Sequence, residues 1–263
     1  MRAVLAVLLI LAPAFGATKL VVTIIDQKTG KPVSGLKAAD FAVRGGGAAR
    51  TVESAEAVSE PVDVMLLLDT SLLGGMVQPA AAELIAQLGD KEQMAVVSFA
   101  SSADLVQDFT GSKQLLRRAV GQVKFGNSPR VLDALFAALD GGFENASMRR
   151  VILLLTAGVD GDSRVNEREV VRLARRNGVS IYPVFVMAYG RSLLESLARD
   201  TGGATFQLRE MSKSKEPIGP QIFEVLRSHY RLTVGGGELN DPVRVEVKSA
   251  AGEKRAASAL VLE

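Results

Sequence analysis

Apolar residues between positions 62 and 186 form short continuous runs, separated by stretches in which they recur every three or four positions. Continuous runs predict strands buried on both faces, and the three-to-four spacing predicts amphipathic helices. The predicted strands are Val62–Leu68, Met94–Phe99, Val151–Thr156 and Ile181–Val186, with Asp104–Phe109 as an antiparallel partner of Met94–Phe99 across a short turn. The predicted helices are Val77–Leu88, Ser112–Val123, Val131–Leu139, Asn166–Asn177 and Ser192–Asp200. This alternation predicts an α/β fold: a doubly wound, mostly parallel sheet with one antiparallel edge strand.

Further β segments flank this α/β region on both sides. The predicted elements are strands at Leu20–Ile25 and Phe41–Val43, a hairpin turn at Gly45–Gly47, a short strand at Ala204–Leu208, a helix at Pro217–Ser228, and strands at Tyr230–Val234, Val243–Val247 and Ser258–Leu262. Because chain ends often lie together, we expect the leading and trailing strands to form one small β region. The predicted division is an N-terminal β region at 18–58, the α/β domain at 59–229 and C-terminal strands at 230–263.

Residues 1–17 have the pattern of a secretory signal peptide. Arg2 supplies the positive start, Ala3–Leu11 the apolar stretch, and Ala14–Ala17 a site with small residues for cleavage after Gly16 or Ala17. A membrane anchor needs about 20 apolar residues, and Pro13 interrupts this run well before that. The pattern therefore predicts export to the periplasm or the medium, with no membrane span after cleavage.

Charge and cysteine content exclude several classes of function. The 31 basic and 29 acidic residues nearly balance, and no basic run is interleaved with aromatic residues, so nucleic acid is not an expected partner. The chain has no cysteine. Disulfides, thiolate metal sites and a cysteine nucleophile are therefore excluded.

A polar segment follows the first strand of the predicted parallel sheet, with Asp69 at the strand end and Ser71 two residues later. Ligands of such sheets bind at the carboxyl ends of the strands. Carboxylate and hydroxyl oxygens suit hard divalent ions, so this segment is typical of the start of a magnesium site. The same carboxylate could instead cap the following turn.

Several segments resemble a known family in order along the chain. Val62–Ser71 is similar to the opening strand of a von Willebrand factor type A (vWA) domain, whose metal-ion-dependent adhesion site begins with Asp-x-Ser-x-Ser. Three later segments are also similar to this family: Gly126–Leu135 resembles the segment that carries the site's threonine, Val151–Asp160 the strand that ends in Thr-Asp-Gly, and Gly178–Val184 a later strand. The flanking segments Lys28–Phe41 and Ile222–Tyr230 resemble an exported bacterial vWA-related family. The resemblance implies a vWA domain that binds another protein.

The resemblance also implies that the metal site is degenerate. Asp69 and Ser71 match the family's first two ligand positions, but Leu73 stands at the second serine position, Pro129 at the threonine position and Ala157 at the second aspartate position. Magnesium requires a nearly octahedral oxygen shell, so we expect no metal and no other cofactor.

An alternative keeps the metal-dependent mechanism, with Mg²⁺ or Mn²⁺ bound by Asp69, Ser71 and substitute ligands. Ser128 adjoins Pro129, and Asp160 lies three residues beyond Ala157, so these two are the residual candidates. A hydrolase with Asp69 as nucleophile is disfavoured, because Ser71 occupies the position where a second carboxylate would act as acid and base. We therefore do not expect an enzyme.

Other candidate groups have simpler interpretations. Asp133 starts a predicted helix, where a carboxylate meets free amides, so capping or packing of the helix start is expected. Asp160–Asp162 resembles half of a calcium loop without its remaining ligands, which favours a solvated loop. His229, the only histidine, has no serine nucleophile elbow to serve, which favours a structural or surface role.

The expected function is an exported protein–protein interaction module of the adhesion or scaffold type, with no catalytic activity. Its candidate partner-binding residues are Leu72, Leu73, Met76 and Pro129, near the degenerate site. Exposed apolar side chains there would form an interaction surface. Alternatively, they fold inward and fill the space of the lost ligands.

Overall fold

The computed structural model describes residues 16–187, 189–213, 216–248 and 254–262. The strands are β1 (Thr18–Asp26), β2 (Phe41–Gly45), β3 (Ala48–Arg50), β4 (Val52–Ser59), β5 (Val62–Asp69), β6 (Gln93–Phe99), β7 (Ala103–Thr110), β8 (Arg149–Thr156), β9 (Ser180–Phe185), β10 (Phe206–Gln207), β11 (Ser228–Val234), β12 (Val243–Val247) and β13 (Arg255–Leu262). The helices are α1 (Gln78–Ala86), α2 (Lys113–Gly121), α3 (Val131–Leu139), α4 (Glu167–Arg176), α5 (Arg191–Asp200), α6 (Leu208–Met211) and α7 (Ile218–Arg227). The predicted signal sequence lies outside the described residues, apart from positions 16 and 17.

A six-stranded sheet forms the centre of the molecule, in the order β10-β9-β8-β5-β6-β7. Its strands run parallel except β7, which pairs antiparallel with β6. Every residue of β5 is buried, as its continuous apolar run predicts for a central strand covered on both faces. The predicted fold class, including the antiparallel edge strand, is confirmed.

Helices cover both faces of this sheet. Apolar side chains of α1, α2 and α7 join one buried cluster, and those of α3, α4 and α5 join the cluster on the opposite face. Local signals set the helix bounds: the side chain of Asn166 accepts a hydrogen bond from the Glu169 amide, and the Glu169 carboxylate accepts one from the Asn166 amide, which starts α4. No helix within the described ranges is long and apolar enough to cross a membrane.

The terminal strands lie together, as expected. They form an antiparallel sheet in the order β13-β1-β11-β4 and a smaller one in the order β12-β2-β3, which share a third apolar cluster. The rings of Phe41 and Tyr230 meet edge to face there, with centroids 5.3 Å apart. The triple glycine contributes to the β2–β3 hairpin, so the predicted turn is confirmed.

Two local expectations need correction. The last strand of the central sheet, predicted over Ala204–Leu208, contains only Phe206 and Gln207, and Leu208 begins α6. The helix predicted over Val77–Leu88 spans Gln78–Ala86, because the amides of Gln87 and Leu88 bond to carbonyls three residues back, outside the α-helical pattern. Both differences fall at element ends, where hydrogen bonding to neighbouring segments decides the boundary.

Candidate functional site

Asp69 lies at the carboxyl end of β5 and is fully buried. Its Oδ1 accepts a hydrogen bond from the Ser71 amide at 2.9 Å. Its Oδ2 accepts hydrogen bonds from the Thr156 hydroxyl at 2.9 Å and the Ala157 amide at 3.0 Å. The carboxylate thus links the end of β5 to the end of β8 through donors of the protein itself.

Ser71 and Gly74 shape the loop that follows Asp69. Ser71 is buried, and its Oγ has no hydrogen-bond partner among the described residues. A Cβ atom at position 74 would overlap the Asp69 carbonyl oxygen, so the loop's close return to the strand end requires glycine. The loop therefore holds Asp69 and Ser71 together, as the sequence predicts.

The three substituted positions offer no side-chain oxygen here. Leu73 is 43% exposed, so its side chain points partly into solvent. Pro129 accepts a 2.6 Å hydrogen bond from the Gly161 amide through its backbone carbonyl. Ala157 is fully buried. Within the described part of the chain, no group of three or more His, Asp or Glu residues is arranged to hold a metal ion.

Asp160, one of the two substitute candidates, is hydrogen-bonded to helix α3. Its Oδ1 accepts hydrogen bonds from the Val131 amide at 2.7 Å, the Leu132 amide at 3.4 Å and the Ser163 hydroxyl at 2.7 Å. A carboxylate at a helix start satisfies amides that have no partner within the helix. Asp160 therefore caps α3 from a distant loop. Ser128, the other candidate, is exposed.

Asp133 does contact backbone amides, but not those of its own helix. Its Oδ1 accepts hydrogen bonds from the Arg164 amide at 2.8 Å and the Val165 amide at 3.0 Å. Of the two expected roles, Asp133 packs the helix start against a neighbouring loop, whereas Asp160 and Ser163 cap the first-turn amides of α3. Asp133 and Asp160 fasten α3 and the loop after β8 to each other. Asp162 is exposed, as expected of a solvated loop.

Apolar side chains lie exposed on the loops at this edge of the sheet. Leu72 is 80% exposed, and Leu73 and Met76 are 43% and 45% exposed, so none folds inward to fill the site. Phe125 (50%) and Tyr189 (87%), which sequence reasoning missed, are exposed as well. We call these five side chains the apolar edge.

Backbone contacts join the segments of Phe125 and Tyr189 to the loops at this edge of the sheet. The Gly126 amide donates a 2.7 Å hydrogen bond to the Thr70 carbonyl, which ties the Phe125 segment to the loop after β5. Gly190 packs so tightly against the Gly158 carbonyl that a Cβ atom would overlap it, which ties the Tyr189 segment to the loop after β8.

His229 lies away from this edge, on β11, with its side chain fully buried. Burial and the nearby Arg149 and Arg231 lower its pKa to about 3, and the Arg227 backbone acts in the opposite direction. The Glu60 carboxylate lies 3.4 Å from Nε2. The imidazole is therefore neutral at neutral pH. This environment supports a structural role rather than that of a catalytic base.

An open sheet of this order, with one antiparallel edge strand and an aspartate and a serine at the end of its first parallel strand, defines a vWA-type domain. Residues 63–219 match the family model described as von Willebrand factor type A domain, and the chain belongs to this family. Domains of this family mediate protein–protein interactions. No curated protein sequence matches the chain.

Solved structures support the same fold. Proximal thread matrix protein 1 from the mussel byssus is similar with a TM-score of 0.55 and 18% identity, over 69% of this chain and 50% of the mussel protein. The chain thus spans half the length of that protein. The conserved hypothetical protein BatB from Bacteroides thetaiotaomicron is similar with a TM-score of 0.50 and 13% identity, over 63% of this chain and 98% of BatB. A second structure of the mussel protein has a zinc-occupied metal-ion-dependent adhesion site (MIDAS) motif.

Proposed function

We propose that this protein is an exported, non-catalytic interaction module that binds a protein partner through the apolar edge without a metal ion. The observation that carries the proposal is the exposure of Leu72, Leu73 and Met76 directly after Asp69, whose carboxylate faces inward to protein donors. Exposed clusters of apolar side chains on a folded domain are typical of binding surfaces.

The ligand inventory supports the absence of a metal. Of the family's five ligand positions, Asp69 and Ser71 keep side-chain oxygens, and both oxygens of Asp69 already accept hydrogen bonds. Magnesium takes about six oxygen ligands in near-octahedral geometry. Water would have to supply nearly the whole shell, which gives weak binding.

The geometry of the edge also supports a fixed binding surface. Asp69, Asp133 and Asp160 join the loop after β5, the loop after β8 and the start of α3 through side-chain hydrogen bonds. A surface held in this way loses little conformational freedom when a partner binds. We infer that these carboxylates hold the loops that present the apolar edge.

One observation favours the metal-dependent alternative. The Ser71 hydroxyl is buried beside Asp69 with no hydrogen-bond partner among the described residues, as a ligand oxygen would be. In that alternative Ser128 or Asp160 completes the shell, and a carboxylate of the partner binds the ion. Asp160 would first have to give up hydrogen bonds to α3.

Site-specific photo-crosslinking in the native host tests the proposal. A photoreactive residue at position 72 samples the apolar edge, and one at position 105 is the matched control, because Leu105 is also an exposed leucine (61%) but lies on the edge strand β7. We expect a discrete protein adduct from position 72, absent from position 105 and unchanged by chelator.

The other outcomes separate the alternatives. An adduct from position 72 that disappears with chelator and returns with Mg²⁺ would support the metal-dependent mechanism instead. The same pattern of adducts from positions 72 and 105 would contradict a specific apolar binding edge.

A further inference from the structure

A second polar site lies at the opposite end of the central sheet's parallel strands, at the edge where these strands begin. A cavity of about 360 Å³ lies where β5, β8 and β9 begin and where the sheet of terminal strands packs against them. Its lining includes Glu60, Met148, Arg149, Ser180, Arg231 and Leu260. None of these residues belongs to the site at the carboxyl edge.

Two residues of the lining carry buried hydrogen-bond donors that have no partner among the described residues. The Arg149 side chain is 9% exposed, and its Nε and one terminal nitrogen have no hydrogen-bond partner among the described residues. Its other terminal nitrogen donates to the Leu226 carbonyl. Ser180 is buried, and its Oγ is likewise unpartnered. Buried donors without partners are costly, so such a cluster is expected where a ligand supplies the acceptor.

The charges in the cavity favour an anion. Glu60 accepts a 2.6 Å hydrogen bond from Arg231, and its other oxygen lies 3.8 Å from Arg149 Nε. One carboxylate therefore faces two guanidinium groups. His229, which lies 3.4 Å from Glu60, stays neutral at neutral pH and adds no charge. The cluster keeps one positive charge in excess, and arginine is well suited to bind a carboxylate through two parallel hydrogen bonds.

Apolar side chains line the rest of the cavity. Val21, Pro61, Met148, Leu260 and Leu262 contribute to the lining, and Met148 and Leu262 are also exposed at the surface. The volume exceeds that of an inorganic oxyanion. A ligand that matches the lining therefore combines one carboxylate with a short hydrocarbon body.

We propose that this cavity binds a small organic carboxylate, with its oxygens on Arg149 and Ser180 and its apolar body against Met148, Leu260 and Leu262. The site joins the central domain to the terminal strands, because Arg149 and Ser180 begin β8 and β9 whereas Leu260 and Leu262 belong to β13. A bound carboxylate would therefore stabilise that junction. The partner-binding role of the apolar edge does not depend on this site.

Calorimetric titration of the purified protein with hexanoate tests the proposal, with hexanamide as the uncharged analogue and inorganic phosphate as the anion without an apolar body. We expect hexanoate to bind at least about tenfold more tightly than either, because charge-assisted hydrogen bonds and apolar burial act together. Arg149→Gln should weaken hexanoate binding by about tenfold or more, and Ser180→Ala by several-fold. Arg150→Gln is the matched control, since Arg150 donates to the Asn177 carbonyl and is not among the cavity lining.

Ser180→Ala keeps the test decisive if Arg149→Gln does not fold, because removing one hydroxyl leaves the Arg149–Leu226 contact intact. Hexanoate binding that is weaker in Ser180→Ala and unchanged in Arg150→Gln supports the proposal. No hexanoate binding, binding unchanged in Ser180→Ala, or phosphate binding as tight as hexanoate binding overturns it.

Discussion

At the carboxyl edge of the central sheet, where the parallel strands end, Asp69 and Asp160 accept hydrogen bonds from the protein's own amides and hydroxyls. At the amino edge, where those strands begin, Arg149 and Ser180 carry buried donors without hydrogen-bond partners among the described residues. The first edge is where this family places its metal ligands, yet here its carboxylates hydrogen-bond neighbouring segments of the same chain, and its exposed side chains are apolar. Among the described residues, the first edge has one unpartnered hydroxyl, that of Ser71, whereas the second has several unsatisfied polar groups beside a cavity, as expected of a small-ligand site. Position in the fold therefore does not by itself locate the ligand chemistry, which has to be argued from each group's partners.

The largest expected effect is a fall in the free energy of unfolding at low pH, caused by the buried His229 near the amino edge. Folding keeps His229 neutral down to a pKa of about 3, whereas an unfolded histidine has a pKa of about 6.5. As the pH falls, the unfolded chain binds this proton first, so the stabilisation is complete above pH 6.5 and is lost progressively toward pH 3. Between roughly pH 6.5 and 4.5 the free energy of unfolding should fall by about 1.4 kcal/mol per pH unit from this group.

Urea unfolding at several pH values, compared between the native chain and His229→Gln, measures this contribution. The variant should lose the part of the pH dependence that His229 contributes in that interval, while Glu60, Arg149 and Arg231 surround the side chain in both proteins. If the free energy of unfolding changes with pH in the same way in both proteins, His229 is accessible or charged in the folded state.

Asp69→Asn tests whether the carboxylate at the other edge is structural. The amide side chain cannot accept hydrogen bonds from the Ser71 amide and from both the Thr156 hydroxyl and the Ala157 amide. We expect a loss of about 2 kcal/mol in the free energy of unfolding, measured in chelator, since hydrogen bonds to a charged group contribute about 1.5–3 kcal/mol. Unchanged stability in chelator would instead indicate that the carboxylate is kept for a metal.

Asp160→Ala removes the cap that α3 receives from the loop after β8. Loss of a capping side chain costs about 1 kcal/mol, and the free energy of unfolding should fall by that amount. Asp162→Asn is the control, because Asp162 is exposed and asparagine also tolerates its positive φ of 55°. Equal losses in the two variants would contradict the capping role.

Leu72→Ser should have the smallest effect on folding. Because the side chain is 80% exposed, we expect the free energy of unfolding to change by less than about 0.5 kcal/mol. Partner binding, read as the crosslink from the neighbouring position 76, should weaken strongly. A large loss of stability would mean that Leu72 is part of the core.

Patterns within single segments predicted much of the fold. The apolar runs of β5 and β8 and the short β6–β7 turn indicated the sheet and its antiparallel edge. Strand β4 was missed, because Val52–Ser59 mixes small and acidic residues and is only partly buried. Its position depends on pairing with β11, which is far away in the sequence.

The sites could be predicted only in part for a similar reason. Asp69 and Ser71 stand next to each other in a recognisable segment, so the sequence located them. The hydrogen bonds of Asp160 to α3, and the shared position of Arg149, Ser180 and Arg231 around one cavity, depend on backbone positions that the tertiary fold brings together. No local spacing indicates such contacts.

The melting temperature of the chelator-stripped protein, recorded as Mg²⁺, Mn²⁺ or Ca²⁺ is added, tests metal-independence most directly. The combined variant Leu73→Ser, Pro129→Thr and Ala157→Asp serves as the restored site, and Ser71→Ala as the variant that removes a remaining ligand. An ion at a hundred times its Kd stabilises the folded state by about 2.7 kcal/mol, or roughly 5–10 °C for a domain of this size. We predict an unchanged melting temperature for the native protein and an increase for the restored variant. An increase of several degrees in the native protein that Ser71→Ala abolishes would contradict the account.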